Sequence, residues 1–419
     1  MIRKGLRLAF LKQALTINSN HLCRRTITMK QLNIALIGYR FMGKAHSFGI
    51  DAAPFFFKDN VKPVKKVICG RTEHLVKQAA EDFGWEEYCT DWREAIKRSD
   101  IDIVDIATPT ANHKEIAIEA AKAGKHIFCE KPIALNASEA KEMLEAAEKY
   151  KVKHMLGHNY RRVPAIALAK KMIEDGRLGK IYHFRGVYLQ DWIMDPEFPL
   201  TWQLDKRFAG AGPHFDLHSH ITDLARVLVG EIDQVVGMKE TFIKQRPKQV
   251  IGEKLTTMLA VEGDTTDKDY GEVTVDDAAA YMAKFKNGAL GTFEATRFAG
   301  GRKNHERIEI NGSKGTIVFN FERMNELEFW SKEDDLEVQG FRTILVTEGC
   351  HPYISAWWPA GHIIGYENTF VNQFADFFKN IVDDTMPTPN FYDGWKNSQV
   401  LDAVTKSVET ETWQKVDDM

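Results

Sequence analysis

Leu32-Asn-Ile-Ala-Leu-Ile-Gly-Tyr-Arg-Phe-Met-Gly43 is the stretch on which the reading of this chain turns. Its apolar run, 34–37, is too short for a helix, and two glycines then lead into a segment with helical spacing, 44–50. A strand that passes through a glycine turn into a helix aims backbone N–H groups and a helix N-terminus at one point, where a pyrophosphate can bind. The middle glycine of the usual pattern is Arg40 here, so the six residues by themselves would also suit an ordinary tight turn.

Working outward, the alternation repeats. Short apolar runs at 67–69, 103–107 and 127–129 are each followed by an amphipathic stretch, at 73–83, 114–123 and 138–150. That is the signature of βαβ units in a parallel sheet, and it predicts an α/β fold whose residues 31–155 form a doubly wound, dinucleotide-binding Rossmann domain. Residues 156–419 read differently. A helix over 164–174, with Pro164 in its first turn and Gly176 as its stop, precedes strand-like runs. Asn287-Gly288 joins 278–285 to 289–296, a second turn beginning Asn311-Gly312 joins 307–310 to 316–319, and 327–330 and 343–346 follow. The expectation is a substrate-binding and oligomerisation domain of α+β type with one large, open, mainly antiparallel sheet. Helices would cover one face, and a second copy of the chain would cover the other, giving a homodimer or homotetramer.

Composition narrows the function. The chain has 419 residues with Lys plus Arg 56 against Asp plus Glu 59, and residues 1–28 carry six of the positive charges and no acid. The remainder is therefore mildly acidic, which does not suit a binder of nucleic-acid backbones. No run of eighteen apolar residues points to a membrane span. The five cysteines form no CxxC and no even framework, as in a reducing compartment, so a cytoplasmic protein is expected. The basic leader, residues 1–30, reads either as a mitochondrial transit peptide or as sequence upstream of a start at Met29.

Three further motifs carry chemistry. Ala107-Thr108-Pro109, with His113 beyond it, and Cys129-Glu130-Lys131-Pro132 end two strands of the parallel sheet, the edge at which open α/β sheets hold ligands. A lysine there can reach a reacting centre beside a cofactor. In Gly210-Ala-Gly-Pro-His-Phe-Asp216-Leu-His-Ser-His220, Asp216 and His220 are four apart, on one face of a helix, where the acid could orient the imidazole. His214 and His218 form a second such pair, but no third ligand at motif spacing accompanies them and no metal is expected. The acid that would grip an adenosine ribose is missing after the second strand. Arg71 stands nearby instead, where it could meet a 2'-phosphate, leaving NAD and NADP both open.

As a set, the G-x-x-x-x-G loop, the Ala-Thr-Pro-x-x-x-His segment, the Glu-Lys-Pro triplet and the Gly-rich run to Asp216-x-x-x-His220 resemble the glucose-fructose oxidoreductase and inositol dehydrogenase family, from about residue 32 to the end. Phe41-Met-Gly-Lys-Ala-His-Ser47, Asn159-Tyr-Arg-Arg162 and Tyr188-Leu-Gln-Asp-Trp192 are similar to its levoglucosan-oxidising branch. The resemblance implies hydride transfer between a nicotinamide, NAD by preference, and a sugar or cyclitol carbon. It implies Lys131, Asp216 and His220 as the catalytic residues. The cofactor side would comprise Gly38, Arg40, Phe41, Met42, Gly43, Arg71, Thr108, Pro109, His113, Glu130 and Lys131, and the substrate side His158, Tyr160, Arg161, Arg162, Trp192, His214 and His218. Arg40, His214 and His218 depart from the family's usual residues.

The leading expectation is oxidation of a secondary ring hydroxyl of a sugar. The alternatives are an NAD-dependent glycoside hydrolase that oxidises, eliminates and re-reduces, and a cofactor-binding regulator. The basic collection His158, Arg161, Arg162, Lys206, Arg207, His214 and His218 raises a further expectation, a substrate carrying an anionic group, against the plain reading that these side chains are solvated or paired.

Overall fold

The computed structural model describes residues 29–248 and 269–417. The two readings of the leader lie outside the described residues, except that Lys30 already belongs to the first strand.

Six parallel strands, β1 (Lys30–Ile37), β2 (Val61–Cys69), β3 (Glu87–Cys89), β4 (Ile103–Ile106), β5 (His126–Cys129) and β6 (His154–Leu156), lie in the order β3-β2-β1-β4-β5-β6. Helices α1 (Phe41–Phe56), α2 (Glu73–Phe83), α3 (Trp92–Lys97), α4 (His113–Lys122) and α5 (Ala137–Lys149) connect them. The strands at the centre are buried on both faces, which is why Ile34, Leu36, Val104, Ile127 and Phe128 form unbroken apolar runs. The order reverses between β1 and β4, and the crevice outside their C-terminal ends is a ligand site. Sequence reasoning starts β2 six residues late, because Lys62, Lys65 and Lys66 interrupt the apolar pattern of a strand near the sheet edge. It also misses β3 and α3, which are too short to show a period.

The second half adds α6 (Pro164–Glu174), β7 (Ile181–Leu189), α7 (Lys206–Ala209), α8 (Pro213–Asp216), α9 (His218–Leu228), β8 (Ile232–Glu240), β9 (Gln245–Pro247) and β10 (Tyr270–Glu272). Then come β11 (Ala278–Phe285), β12 (Leu290–Thr296), β13 (His305–Gly312), β14 (Gly315–Asn320), β15 (Glu326–Ser331), β16 (Arg342–Leu345), α10 (Tyr366–Val382), α11 (Phe391–Thr410) and β17 (Gln414–Lys415). Strands β9 and β10 pair with each other, and the others form a nine-stranded sheet, β16-β15-β14-β13-β7-β12-β11-β8-β17. Only the β7–β12 pair is parallel. The Asn287-Gly288 hairpin stands where the sequence puts it, with Lys284 opposite Leu290. The second turn is displaced: β13 runs through Gly312, so Ser313 and Lys314 make the corner. Gly312 is there for closeness, since a Cβ on it would lie 2.1 Å from the carbonyl oxygen of Leu178.

Helices α6, α9 and α11 cover the inner face of this sheet, burying Phe184, Tyr281, Phe293, Ile308 and Phe319 in one core. Helix α10 does something else. Its Phe374, Phe377 and Phe378 share a core with Ile34 of β1 and Phe128 of β5, so the chain after residue 366 packs on the Rossmann half as well. Among the described residues no helix is long and apolar enough to cross a membrane.

Candidate active site

The cofactor turn is set by steric closeness. Gly38 takes φ +115, and a Cβ on it would lie 2.4 Å from the carbonyl oxygen of Ala107; a Cβ on Gly43 would lie 2.5 Å from that of Gly38. Arg40, by contrast, has φ −80, outside the left-handed region that calls for glycine. Arg40 and Phe41 are exposed at the start of α1 and Met42 is half-buried. The first turn of α1 holds no acidic residue, and its free amides face the reversal point of the sheet. That cradle fits the phosphates of a dinucleotide. Arg71 is exposed in the turn between β2 and α2.

Two residues assigned to the cofactor side are occupied within the protein. His113 is buried, with Nε2 2.9 Å from the carbonyl oxygen of Thr108 and Nδ1 3.0 Å from that of Pro132. It ties together the two turns that carry Thr108, Pro109 and Lys131, and has no ring nitrogen left for a cofactor. Glu130 faces inward too: Oε1 lies 3.0 Å from His46 Nε2, and Oε2 accepts the backbone N–H of Lys131 at 3.1 Å.

Lys131 leaves the end of β5 and spans to the second half of the chain, where its Nζ donates to Asp216 Oδ1 at 2.6 Å. Arg297 donates from Nη2 to Asp216 Oδ2. Burial pushes the Asp216 carboxyl up, but the two cations outweigh it and hold it well below the usual carboxylate range. The expected Asp216–His220 partnership is corrected here. The helix breaks at Leu217, Asp216 ends α8, His220 sits in the first turn of α9, and both Asp216 oxygens are spent on Lys131 and Arg297.

His220 is buried and its pKa lies well below 6.5, first through desolvation and then through Lys131. It is therefore neutral at pH 7 and able to accept a proton. The ring of Tyr160 stacks on it at 4.2 Å. From Tyr160 a chain of hydrogen bonds lines one wall. Its hydroxyl meets that of Tyr188 at 2.7 Å; Tyr188 donates to Asn304 Oδ1 at 2.7 Å; Gln190 Nε2 donates to the same oxygen at 2.9 Å; and Trp192 Nε1 donates to Gln190 Oε1 at 2.8 Å. The Trp192 ring carries the Arg297 guanidinium 4.9 Å from its centroid, which closes the wall back onto Asp216. Arg246, fully buried, braces the segment bearing Trp192 by donating to the carbonyl oxygens of Ile193 and Asp195.

So the structure brings Lys131, Asp216, His220, Tyr160 and Trp192 together, and five residues expected at the substrate are placed elsewhere. Arg161 is buried and bound to Asp223 and Asp393, and Arg162 to Asp376. His214 Nε2 lies 2.9 Å from the carbonyl oxygen of Leu401 and its Nδ1 3.2 Å from that of His218, whose ring meets Tyr281 edge-on. Both histidines are core residues between α9, α11 and the sheet, their pKa values pushed down by burial. His158 lies behind His220, its Nε2 3.7 Å from Asp223, and burial lowers it to about 4. Lys206 is exposed, and Arg207 is exposed and paired with Asp205. The anionic-substrate expectation loses its basis, because the arginines have partners and the histidines are neutral. Among the described residues no cluster of three or more His, Cys, Asp or Glu could hold a metal.

Sequence reasoning missed Arg297, Gln190, Asn304 and His46. Parity could have found two of them. Gly291, Phe293 and Ala295 face inward along β12 and Arg297 continues that row; Phe184, Gly186 and Tyr188 do so along β7 and Gln190 follows.

Comparison with known proteins agrees with this architecture. Residues 32–158 match the oxidoreductase family with an NAD-binding Rossmann fold, and residues 166–318 match the GFO/IDH/MocA C-terminal domain. The chain is 45% identical over 391 residues to levoglucosan dehydrogenase of Pseudarthrobacter phenanthrenivorans, covering 93% of this chain and 99% of that one. It is 25% identical to myo-inositol 2-dehydrogenase of Thermotoga maritima, covering 93% and 99%. A structure of levoglucosan dehydrogenase in complex with NADH and levoglucosan superposes with a TM-score of 0.86 at 44% identity, covering 92% of this chain and 100% of that one. An oxidoreductase domain protein from Kribbella flavida gives 0.87 at 48% identity, covering 93% and 100%. Likeness along nearly the whole length, through both domains, means that this chain belongs to the GFO/IDH/MocA family of NAD-binding oxidoreductases.

Proposed function

We propose that the protein is an NAD-dependent dehydrogenase that oxidises one secondary ring hydroxyl of a compact, neutral sugar of the levoglucosan type. The observation that carries this reading is the Lys131–Asp216 contact of 2.6 Å beside a neutral His220, at the cofactor edge of the parallel sheet. His220 takes the hydroxyl proton. Lys131, held by Asp216, donates to the same oxygen and stabilises the alkoxide that develops there. NAD, when bound, supplies the nicotinamide C4 that accepts the hydride, and the Gly38–Gly43 turn with the start of α1 holds its phosphates. Arg297 fixes Asp216, and Trp192, Gln190, Asn304 and Tyr160 form the wall against which a sugar ring would lie.

Neutrality of the substrate rests on charge. The Asp216 carboxylate is shared by Lys131 and Arg297, and Arg161 and Arg162 are each held by carboxylates of their own rather than turned to meet an anion. A homo-oligomer is part of the same reading. The outer face of the large sheet exposes Met238 and Met282 beside an apolar trough of about 460 Å³ lined also by Val187 and Val236. A second copy is the simplest cover for it. The described cysteines are free thiols, as suits a cytoplasmic enzyme.

The test is to follow NADH formation with levoglucosan, inositols, aldoses and their glycosides, at low and high salt. The reading expects NADH in proportion to oxidised neutral sugar. Release of an aglycone without net NADH, or a preference for an anionic sugar that salt abolishes, would overturn it. Sedimentation of the wild type against Met282→Lys checks the oligomer.

A further inference from the structure

The sequence quoted for its likeness to sugar dehydrogenases contains a histidine that the mechanism above does not use. His46, in the second turn of α1, is fully buried. Its Nδ1 lies 2.9 and 3.0 Å from the two oxygens of Asp105 on β4, and its Nε2 lies 3.0 Å from Oε1 of Glu130, just past β5. Two carboxylates on the two nitrogens of one ring have a definite meaning. A neutral imidazole has one N–H and would set a lone pair against one of the acceptors, whereas an imidazolium donates to both.

The surroundings hold this bridge rigidly. Phe128 and Phe374 meet the ring edge-on at 5.2 and 5.3 Å, and Phe370 closes it at 5.8 Å. Glu130 packs closely on Gly157, where a Cβ would lie 2.5 Å from its Oε1, so the carboxylate occupies space that only a glycine leaves. The other oxygen of Glu130 accepts the backbone N–H of Lys131. The chain of contacts therefore runs from the helix whose N-terminus forms the cofactor cradle, through His46 and Glu130, to the backbone of the lysine that reaches Asp216.

We propose that His46 is a positioning residue for Lys131: as an imidazolium clamped between Asp105 and Glu130, it fixes the Glu130 carboxylate that holds the lysine's backbone, and so aims the ammonium group at the reacting oxygen. The inference rests on the assignment of Lys131 above. His46 has no access to substrate and takes no part in proton or hydride transfer. Its effect is on geometry, where misplacement by about 1 Å can cost on the order of 10²-fold in rate.

The experiment has three arms. Lys131→Met tests the underlying reading: if it oxidises sugar normally, that reading fails whatever His46 does. His46→Gln keeps one donor and loses the charge and the second donor. With it, kcat is expected to fall on the order of 10²-fold while NADH binding stays unchanged. The deuterium isotope effect on kcat with ring-deuterated sugar should rise, because a misaimed lysine makes hydride transfer the slow step. Glu130→Gln should do the same, and the double variant should be no worse than the worse single one. A rate loss with an unchanged isotope effect would show a merely smaller folded fraction and overturn the proposal, as would additive losses or a normal rate in His46→Gln when Lys131→Met is dead. The third arm needs no variant. In ¹⁵N-histidine spectra of the wild type near pH 8, both ring nitrogens of His46 should carry protons, and a neutral ring there would overturn the proposal even if the variants fail to fold.

Discussion

Asp216 and Asp223 lie seven residues apart, one ending α8 and the other within α9, and each sits between cationic or histidine partners. Asp216 is held by Lys131 and Arg297; Asp223 by Arg161, with His158 at 3.7 Å. In sequence both clusters are rich in charge, with Lys131 expected on the catalytic side and Arg161 and His158 on the substrate side. Access separates them. The Asp216 side chain is 36% exposed and that of Asp223 is 1% exposed. A charged pair open to a cleft can exchange a partner for a substrate, while a sealed one can only hold its neighbours together. The open cluster is the proposed site, and the other is a strut between the 3-10 turn at 159–162, α9 and α11.

That contrast can be broken by substitution. At the open cluster, Lys131→Met should lower hydride transfer on the order of 10²–10⁴-fold, with NADH binding and thermal stability close to wild type; stopped-flow NADH formation and a melting curve measure both. At the sealed cluster the pattern should invert. Asp223→Asn removes the better buried of the two carboxylates on the Arg161 guanidinium, leaving Asp393 alone, and should cost up to about 3–5 kcal/mol of stability, while the protein that remains folded keeps its kcat. Urea unfolding followed alongside activity decides it, and an Asp223→Asn protein that is stable but inactive would erase the distinction.

The buried histidines sharpen the comparison through pH. His154 and His158 are lowered to about 4 by burial, so between pH 6.5 and 4 the unfolded chain binds protons that the native state does not, and stability falls as pH drops. His46 has the opposite sign. Burial pulls it down, but Asp105 and Glu130 prevail and raise it to about 10, so its contribution is whole below 6.5 and is lost as pH rises toward 10. The urea midpoint should therefore decline on both sides of about pH 6.5, and His46→Gln should flatten the alkaline side alone. Activity should not follow the acid limb until well below 6.5, because His220 stays neutral there. The smallest effect belongs to Arg207, whose partner Asp205 lies in solvent reach: Arg207→Ala should leave both melting temperature and kcat/KM for a neutral sugar unchanged.

Much of the Rossmann half was legible. Its strands are buried on both faces, so they are written as apolar runs, and the helix at 73–83 has the bounds that its spacing predicts. The cofactor turn and the lysine at the end of β5 followed from their places at strand ends. The other half was less legible for a physical reason. Its strands alternate, which reveals hairpins but not sheet order, and helix α10 was hidden because its apolar residues serve the neighbouring half's core. The displaced second turn shows the same limit: Gly312 looked like a turn glycine and is a contact glycine.

The sequence by itself determined the α/β class, the dinucleotide turn and the hairpin at Asn287-Gly288, because each is a local pattern of period or turn chemistry, and it nominated Lys131, Asp216 and His220 as the candidate trio. Tertiary structure alone decided which charges are free. Arg297 reaches Asp216 from 81 residues away, while His113, Glu130, Arg161 and Arg162 are spent on partners that no spacing announces. A side chain's type is fixed in the chain, but its work depends on whether burial has already given it a partner, and burial is a property of the packed whole.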